Sequence, residues 1–447
     1  MKQQLLDAVA RVRDEILAAE TFLWEHPAPG YQEWDANDYL AEKFEKLGYH
    51  LTRAENIPGF VTQIDTGRPG PCVLVLAELD SLIVPGHPDA KENGAVHACG
   101  HHTQSAAMLG LAAALMEPGA LDDLCGSIRL CCVPAEELIQ TTWRETLRKE
   151  GTIRFFGGKV EFLYRGMFDG VDMAFMVHPA NMGGFEFSAE RGNNGCVVKN
   201  VTYEGVSAHA GGAPHEGVNA LYAATLGMQA INALRETFRD EKHVRVHPII
   251  TKGGDAVNAI PAEVRMESYV RAADIDTIRE VNERVNRALS ASAAALGANV
   301  MLCDRAGYTP LVNDSNMMQA AYRAMLTVSS EDKCGLADTW STGSTDMGDV
   351  SAVMPALQVY VGGAAGTAHG ADFHIENREL ACVKCAQFEC SMLYELLCND
   401  ACCAKEILAC AKPHYACIAD YLEDLEKLER DVRAVSYEDD GSVTLRW

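Results

Sequence analysis

The chain has 447 residues, 48% hydrophobic and 23% charged, with a formal net charge of −25. That length exceeds one compact core and calls for roughly two or three domains. The acidic balance lacks the basic footprint of a nucleic-acid binder and offers an anionic membrane nothing to attract, so neither partner is expected.

The first twenty residues place Leu5, Val9, Val12 and Ile16 at helical spacing, with charges between them. This is an amphipathic helix rather than a signal peptide. No run reaches the roughly 18 apolar residues of a membrane span, and the expected compartment is the cytoplasm. Glu33 to Leu47 reads as a second helix, stopped by Gly48. Strands follow at 59–65 and 72–76, and a small-residue helix at 104–115 whose Ala and Gly content predicts close packing. Ser127 to Val133 is a strand running into Pro134-Ala135-Glu136-Glu137. A polar helix and turn are expected over 145–160, then a short strand, 173–177, that delivers His178. The unbroken apolar strands suit a buried, mostly parallel sheet in an α/β domain.

The pattern changes near Cys196. An alternating strand (197–203), a long helix (218–236), strands at 244–250 and 262–272, a helix (274–296) and a strand (299–303) make a self-contained α+β unit. The α/β pattern then resumes with a helix at 316–328, the polar stretch TWSTGSTDMGDVS, a strand at 357–361 and a helix from 378 to 398. Ile418, Leu422, Leu425, Leu428 and Val432 form one stripe of a last amphipathic helix. The expected domains are therefore 1–196 with 306–447, and an insertion at 197–305.

Four separated places carry chemistry: Cys99 with His101, Glu136 with Glu137, His178, and His369. Thiolate, imidazole and carboxylate together suit zinc, manganese or cobalt. Five such ligands and a bridging water serve two ions about 3.5–4 Å apart. Of the adjacent acids, one suits a metal and the other a general base that takes a proton from water and passes it to a leaving amine. No GxSxG elbow, dinucleotide fingerprint or P-loop is present.

The motifs AELDSL, HACGHH, PAEE, HPA, GVSAHAGGAP, GGDAVNAIPAEVRMESYVR, STDMGDVS and GTAHGADFH recur in the order of one family. From about His26 to His374 the sequence resembles the M20 metallopeptidase/amidohydrolase family, in particular its aminobenzoyl-glutamate, N-acyl-amino-acid and auxin-conjugate hydrolases. The resemblance implies a zinc-peptidase-like catalytic domain and an inserted lid and dimerisation domain, hence a homodimer. It implies two divalent ions in each protomer, with Cys99 bridging them and His101, Glu137, His178 and His369 as the other ligands. Glu136 becomes the general base and acid, Asp80 orients a ligand, and His209 reaches the partner's site to stabilise the oxyanion. Asn258, Arg271, Ser344 and Thr345 become substrate-binding groups. The implied substrate is an N-acyl or N-aroyl amino acid, p-aminobenzoyl-glutamate first. The rivals are a dipeptidase or carboxypeptidase-like peptidase of the same fold, and a non-catalytic metal-binding scaffold.

Three features depart from the family pattern. His102 stands where an acid or amide is usual, and the loop before Cys99 carries His87 and Lys91. Eight of the 16 cysteines lie from Cys382 onward. They read as small buried hydrophobes rather than a second metal or iron–sulfur site.

Overall fold

A computed structural model of the chain describes residues 2–447, which fold into two compact units. The first comprises 2–192, 311–340 and 346–418; the second comprises 193–310, 341–345 and 419–447.

The first unit is built on a nine-stranded sheet. Four parallel strands form its centre, in the order Ser127–Val133, Cys72–Glu78, Met173–Pro179, Ala356–Val361. Antiparallel strands flank them, with Phe60–Asp65 on one side and Phe187–Asn193 on the other. Cys72–Glu78 is buried along its whole length, as a strand covered on both faces must be. It runs two residues further than its apolar stretch predicts, which carries Glu78 into the sheet.

The helix His101–Leu115 is buried on all sides except at Ala113. Its small residues let neighbours approach: a Cβ on Gly110 would lie 2.5 Å from Ile16 Cδ1 and 3.1 Å from Ala386 Cβ. The N-terminal helices Lys2–Arg11 and Arg13–Glu25 bury Leu5, Val9, Ile16 and Leu23 in the same core.

The second unit is an antiparallel sheet with two long helices, Ala220–Leu234 and Ile275–Ala295, and a short one in the tail. Glu263–Ala272 pairs with Gly195–Glu204, which pairs with Asn299–Ala306. Burial along Glu263–Ala272 alternates, the period-2 signature of a sheet covered on one face. Both long helices are capped by side chains: Asn219 accepts from Leu221 and Tyr222 N–H, and Asp274 from Thr277 N–H. Under Ile275–Ala295 the Lys199 ammonium is buried among Asn282, Asn286 and Asp304.

Several expectations need correction. The polar helix and turn expected over 145–160 are present but start earlier, and a second, buried helix begins before residue 160. The region forms Thr141–Lys149, an irregular passage and Gly158–Tyr164, whose residues through Leu163 are buried. The strand expected at 244–250 is split into Arg245–Val246 and Ile249–Lys252 around Pro248, which cannot donate to a ladder. The tail, 419–447, belongs to the second unit rather than the first. Its helix stops at Glu426, so Leu428 and Val432 leave the stripe. Arg430–Arg433 instead pairs with Asn299–Ala306, capping an edge whose backbone groups would otherwise lack partners. The helix expected to end at Cys398 breaks there: Asn399, Asp400 and Ala401 all have positive φ before helix resumes to Cys410. Cys382, Cys385 and Cys390 are buried, whereas Cys402, Cys410 and Cys417 are exposed, so the buried-hydrophobe reading holds only for the earlier part of the run. No helix among the described residues is long and apolar enough to cross a membrane.

Candidate active site

The parallel strands end at one place in the first unit. Cys72–Glu78 leads directly to Asp80. Ser127–Val133 leads through Pro134 to Ala135, held at φ 59°. Such a backbone is rare outside glycine and costs about 1–3 kcal/mol; here Ala135 N–H is anchored on Glu33 Oε1 at 2.8 Å. Glu136 and Glu137 follow at once. Met173–Pro179 carries His178 near its end. His369 also has positive φ, 64°, and its N–H donates to Ala98 O at 2.9 Å, tying its loop to the Cys99 turn. Gly100 makes that turn possible: φ is 90°, and a Cβ there would meet Pro179 Cγ at 2.5 Å.

The donor atoms form overlapping clusters. Those of Cys99, His101 and His178 lie within 4.8 Å of one another, and so do those of Cys99, Glu137 and His369. Cys99 is common to both. His101, Glu136 and Glu137 make a further cluster. Cys99 Sγ is 3.4 Å from His178 Nε2, and His369 Nε2 is 3.3 Å from Glu137 Oε1.

Hydrogen bonding assigns the imidazole tautomers. His101 Nδ1 lies 3.0 Å from Asp80 O and 3.1 Å from Asp80 Oδ1, and His178 Nδ1 lies 2.8 Å from Pro179 O. Each Nδ1 therefore carries the proton and each Nε2 offers a lone pair, the arrangement of metal-binding histidines. His101 Nε2 and Glu137 Oε1 are buried without a hydrogen-bond partner. His101 Nε2 is close to Glu78 Oε2, at 3.2 Å, but lacks hydrogen-bond geometry. Orphaned buried donor atoms, a shared thiol and matching tautomers fit divalent metal ions.

Burial pushes the Cys99 thiol well up, and the charge of Glu137 adds to it. Burial likewise pushes His178 down to about 4. Burial, then the charges of Glu78, Glu137 and Asp346, push Glu136 well above the carboxylate range.

The other expected site residues lie in the second unit. His209 Nδ1 accepts from Gly211 and Gly212 N–H, at 3.2 and 2.8 Å. Its strand segment bridges to Ala259, and Ala210 N–H donates to Asn258 O. Arg271 lies over the Tyr269 ring and donates to Ser344 Oγ at 3.4 Å, while Thr345 is buried.

The departures from the motif are also placed. His102 turns to Glu20, its Nε2 3.4 Å from Glu20 Oε1, with Trp24 and His97 against its ring. His87 Nε2 lies 2.8 Å from Phe373 O, and Lys91 is exposed. Sequence reasoning missed Lys159 and assigned no role to Asp346. Both are fully buried beside Glu78. The available signal was a lysine inside the apolar run FFGGKVEFL.

A mostly parallel sheet with thiol, imidazole and carboxylate donors at its strand ends suits a metal-dependent hydrolase of the zinc-peptidase type. Residues 189–296 match the peptidase dimerisation domain of the M20 family. The chain is 27% identical over 346 residues to one component of the p-aminobenzoyl-glutamate hydrolase of Escherichia coli K12; the match covers 71% of this chain and 63% of that protein. It is 28% identical over 384 residues to the human Xaa-Arg dipeptidase, covering 80% of this chain and 79% of that one. A dinuclear metal-binding M20 peptidase of Bacillus subtilis superposes with a TM-score of 0.63 at 20% identity, over 86% of this chain and 98% of that one. The chain is thus similar, in its dimerisation domain, its relatives and its fold, to M20 metal-dependent peptidases and amidohydrolases.

Proposed function

We propose that the chain is a dinuclear metal-dependent amidohydrolase that cleaves an N-acyl or N-aroyl amino acid, with p-aminobenzoyl-glutamate the first substrate to test. The observation that carries the reading is Cys99 standing in two donor clusters at once, as a ligand bridging two ions does. Cys99, His101, Glu137, His178 and His369 would hold the ions, zinc, manganese or cobalt by donor type. Bound there, divalent ions polarise an amide carbonyl and lower the pKa of water.

The chain's own groups do the rest. Glu136 accepts the proton of the attacking water on its carboxylate and gives it to the leaving nitrogen. Its buried, acid-rich surroundings raise its proton affinity, which suits that task. Asp80 orients His101 through Nδ1 and Glu137 through its N–H. His209, its Nδ1 occupied by two backbone N–H groups, keeps its proton on Nε2. That N–H is the donor for the oxyanion, in the partner's site. Arg271 with Ser344, and Asn258 with Thr345, recognise the substrate; the guanidinium suits its carboxylate. Homodimerisation through the second unit is supported by the dimerisation-domain match and by the edge strand Ile249–Lys252.

The Xaa-Arg dipeptidase likeness favours a second reading, a dipeptidase. The test is to purify wild type and Glu136→Gln, count metal per chain, and assay both on p-aminobenzoyl-glutamate, N-acyl amino acids and dipeptides. About two ions in both proteins, with acyl-amino-acid hydrolysis by wild type alone, supports the proposal. Turnover of dipeptides only replaces it with the second reading. Bound metal without turnover of any of these leaves a non-catalytic metal protein. The Escherichia coli relative is one component of its enzyme, so a native mass showing a different second chain would replace the homodimer.

A further inference from the structure

Three carboxylates, Glu78, Glu136 and Asp346, bring oxygens within 4.8 Å of one another, all buried. Such a cluster attracts a cation, and the chain supplies one. Lys159, fully buried, donates from Nζ to Glu78 Oε1 at 2.5 Å and to Asp346 Oδ1. Asp346 holds it a second time, accepting Lys159 N–H on Oδ2 at 2.9 Å. Glu78 is fixed from its other side by Gln104 Nε2 at 2.8 Å.

The backbone that brings Lys159 here is seated under the turn that presents Glu136. Gly158 N–H donates to Ala135 O at 3.1 Å, and a Cβ on Gly158 would fall 1.6 Å from Pro134 O. Tyr31 OH lies 2.9 Å from Phe155 O and 3.2 Å from Gly157 O, holding the same passage. None of this machinery is needed to ligate the ions, and a buried ammonium is costly unless it does something a packed apolar side chain cannot.

We propose that Lys159 is a positioning residue: its ammonium, clamped by Glu78 and Asp346, occupies the cation place among the three carboxylates and fixes where Glu136 stands. Without it Glu136 faces an unneutralised Glu78, and Asp346 wherever that is still an acid, and moves away. The inference rests on the reading of Glu136 as proton carrier, and STDMGDVS then supplies Asp346 beside Ser344 and Thr345.

The test pairs Lys159→Met with Asp346→Asn, because the single lysine change leaves two buried acids unpaired and invites misfolding. Melting temperature, metal per chain, kcat and KM on p-aminobenzoyl-glutamate, and the crystallographic position of Glu136 are compared with wild type. The double variant is expected to fold and hold the wild-type metal count with KM little changed. Its Glu136 carboxylate moves by about 1 Å or more and kcat falls about 100-fold, the scale of such a misplacement. Lys159→Arg, which restores the charge, recovers most of that loss. A folded, metal-replete double variant with Glu136 unmoved overturns the inference, whatever its activity. So does a Lys159→Arg protein, equally folded and loaded, that is as slow as the double variant. Failure of the underlying reading shows separately, as wild-type turnover by Glu136→Gln or silence of wild type. If the double variant does not fold, the Glu136 position and kcat of Lys159→Arg decide.

Discussion

Glu137 donates its backbone N–H to Asp80 Oδ2 at 2.8 Å, while the other oxygen of Asp80 lies 3.1 Å from His101 Nδ1. One carboxylate thus braces two neighbouring strand ends and two expected metal ligands. In Asp80→Ala the residue-80 carbonyl still lies 3.0 Å from His101 Nδ1, so the tautomer survives and the loss falls mainly on Glu137. Metal affinity is expected to drop about tenfold, the low end for outer-shell partners. Competition with a chelator of known affinity measures it; an unchanged affinity would refute the bracing role.

Glu136→Gln keeps the shape of the side chain and removes its basicity. We expect kcat to fall about 10²–10⁴-fold with metal content unchanged by elemental analysis. Loss of metal in step with activity would instead make Glu136 a ligand.

Glu389 is buried in the helix Cys385–Cys410, with Oε2 lacking a hydrogen-bond partner, and burial pushes its carboxyl up to about 8. The folded protein keeps this proton in a pH range where the unfolded chain, near 4.5, has lost it. Stability is therefore intact below about 4.5 and declines as pH rises towards 8, by on the order of 5 kcal/mol in all. Glu389→Gln removes the decline. Its melting temperature should exceed wild type at pH 8, with a gap that shrinks towards pH 5; a gap independent of pH contradicts the assignment.

Lys199→Met would strand Asp304, which the ammonium neutralises beneath the helix Ile275–Ala295. Breaking a buried pair from one side costs roughly 3–5 kcal/mol. Lys199→Met with Asp304→Asn should recover much of that. Urea unfolding curves of the three proteins give the comparison, and a single variant within about 1 kcal/mol of wild type would show the charge to be dispensable.

Ile249 is 58% exposed on the edge strand of the second unit, and Tyr222 is 65% exposed on the helix Ala220–Leu234. Exposed apolar groups beside unpaired strand groups suit a copy of the same surface. If the proposed homodimer forms through this surface, Ile249→Asp is expected to shift it to monomer in light scattering. Because His209 is proposed to serve the partner's site, activity should fall with the dimer fraction. Full activity in a monomer would refute both.

Local pattern carried much of this protein. Cys72 to Leu76 reads as a buried strand because its apolar run is unbroken, and Cys99 and His101 read as ligands because they crowd one helix start. The alternation of 263–272 marks a half-covered sheet for the same local reason. What stayed hidden depends on groups distant in the chain. Lys159 looks like part of a polar turn until folding sets it between Glu78 and Asp346, and only then does a buried charge become tolerable. His102 sits beside His101 in sequence yet turns to Glu20, because successive helical residues point about 100° apart. The tail stripe mimics a helix through Val432, but pairing with Asn299–Ala306 satisfies backbone groups that helical spacing cannot reveal. Donor types and the periods of the elements are local properties, and the order of residues is enough to read them. Which donors share an ion's neighbourhood, and which charges neutralise one another, is settled only on folding, because distance and burial set both.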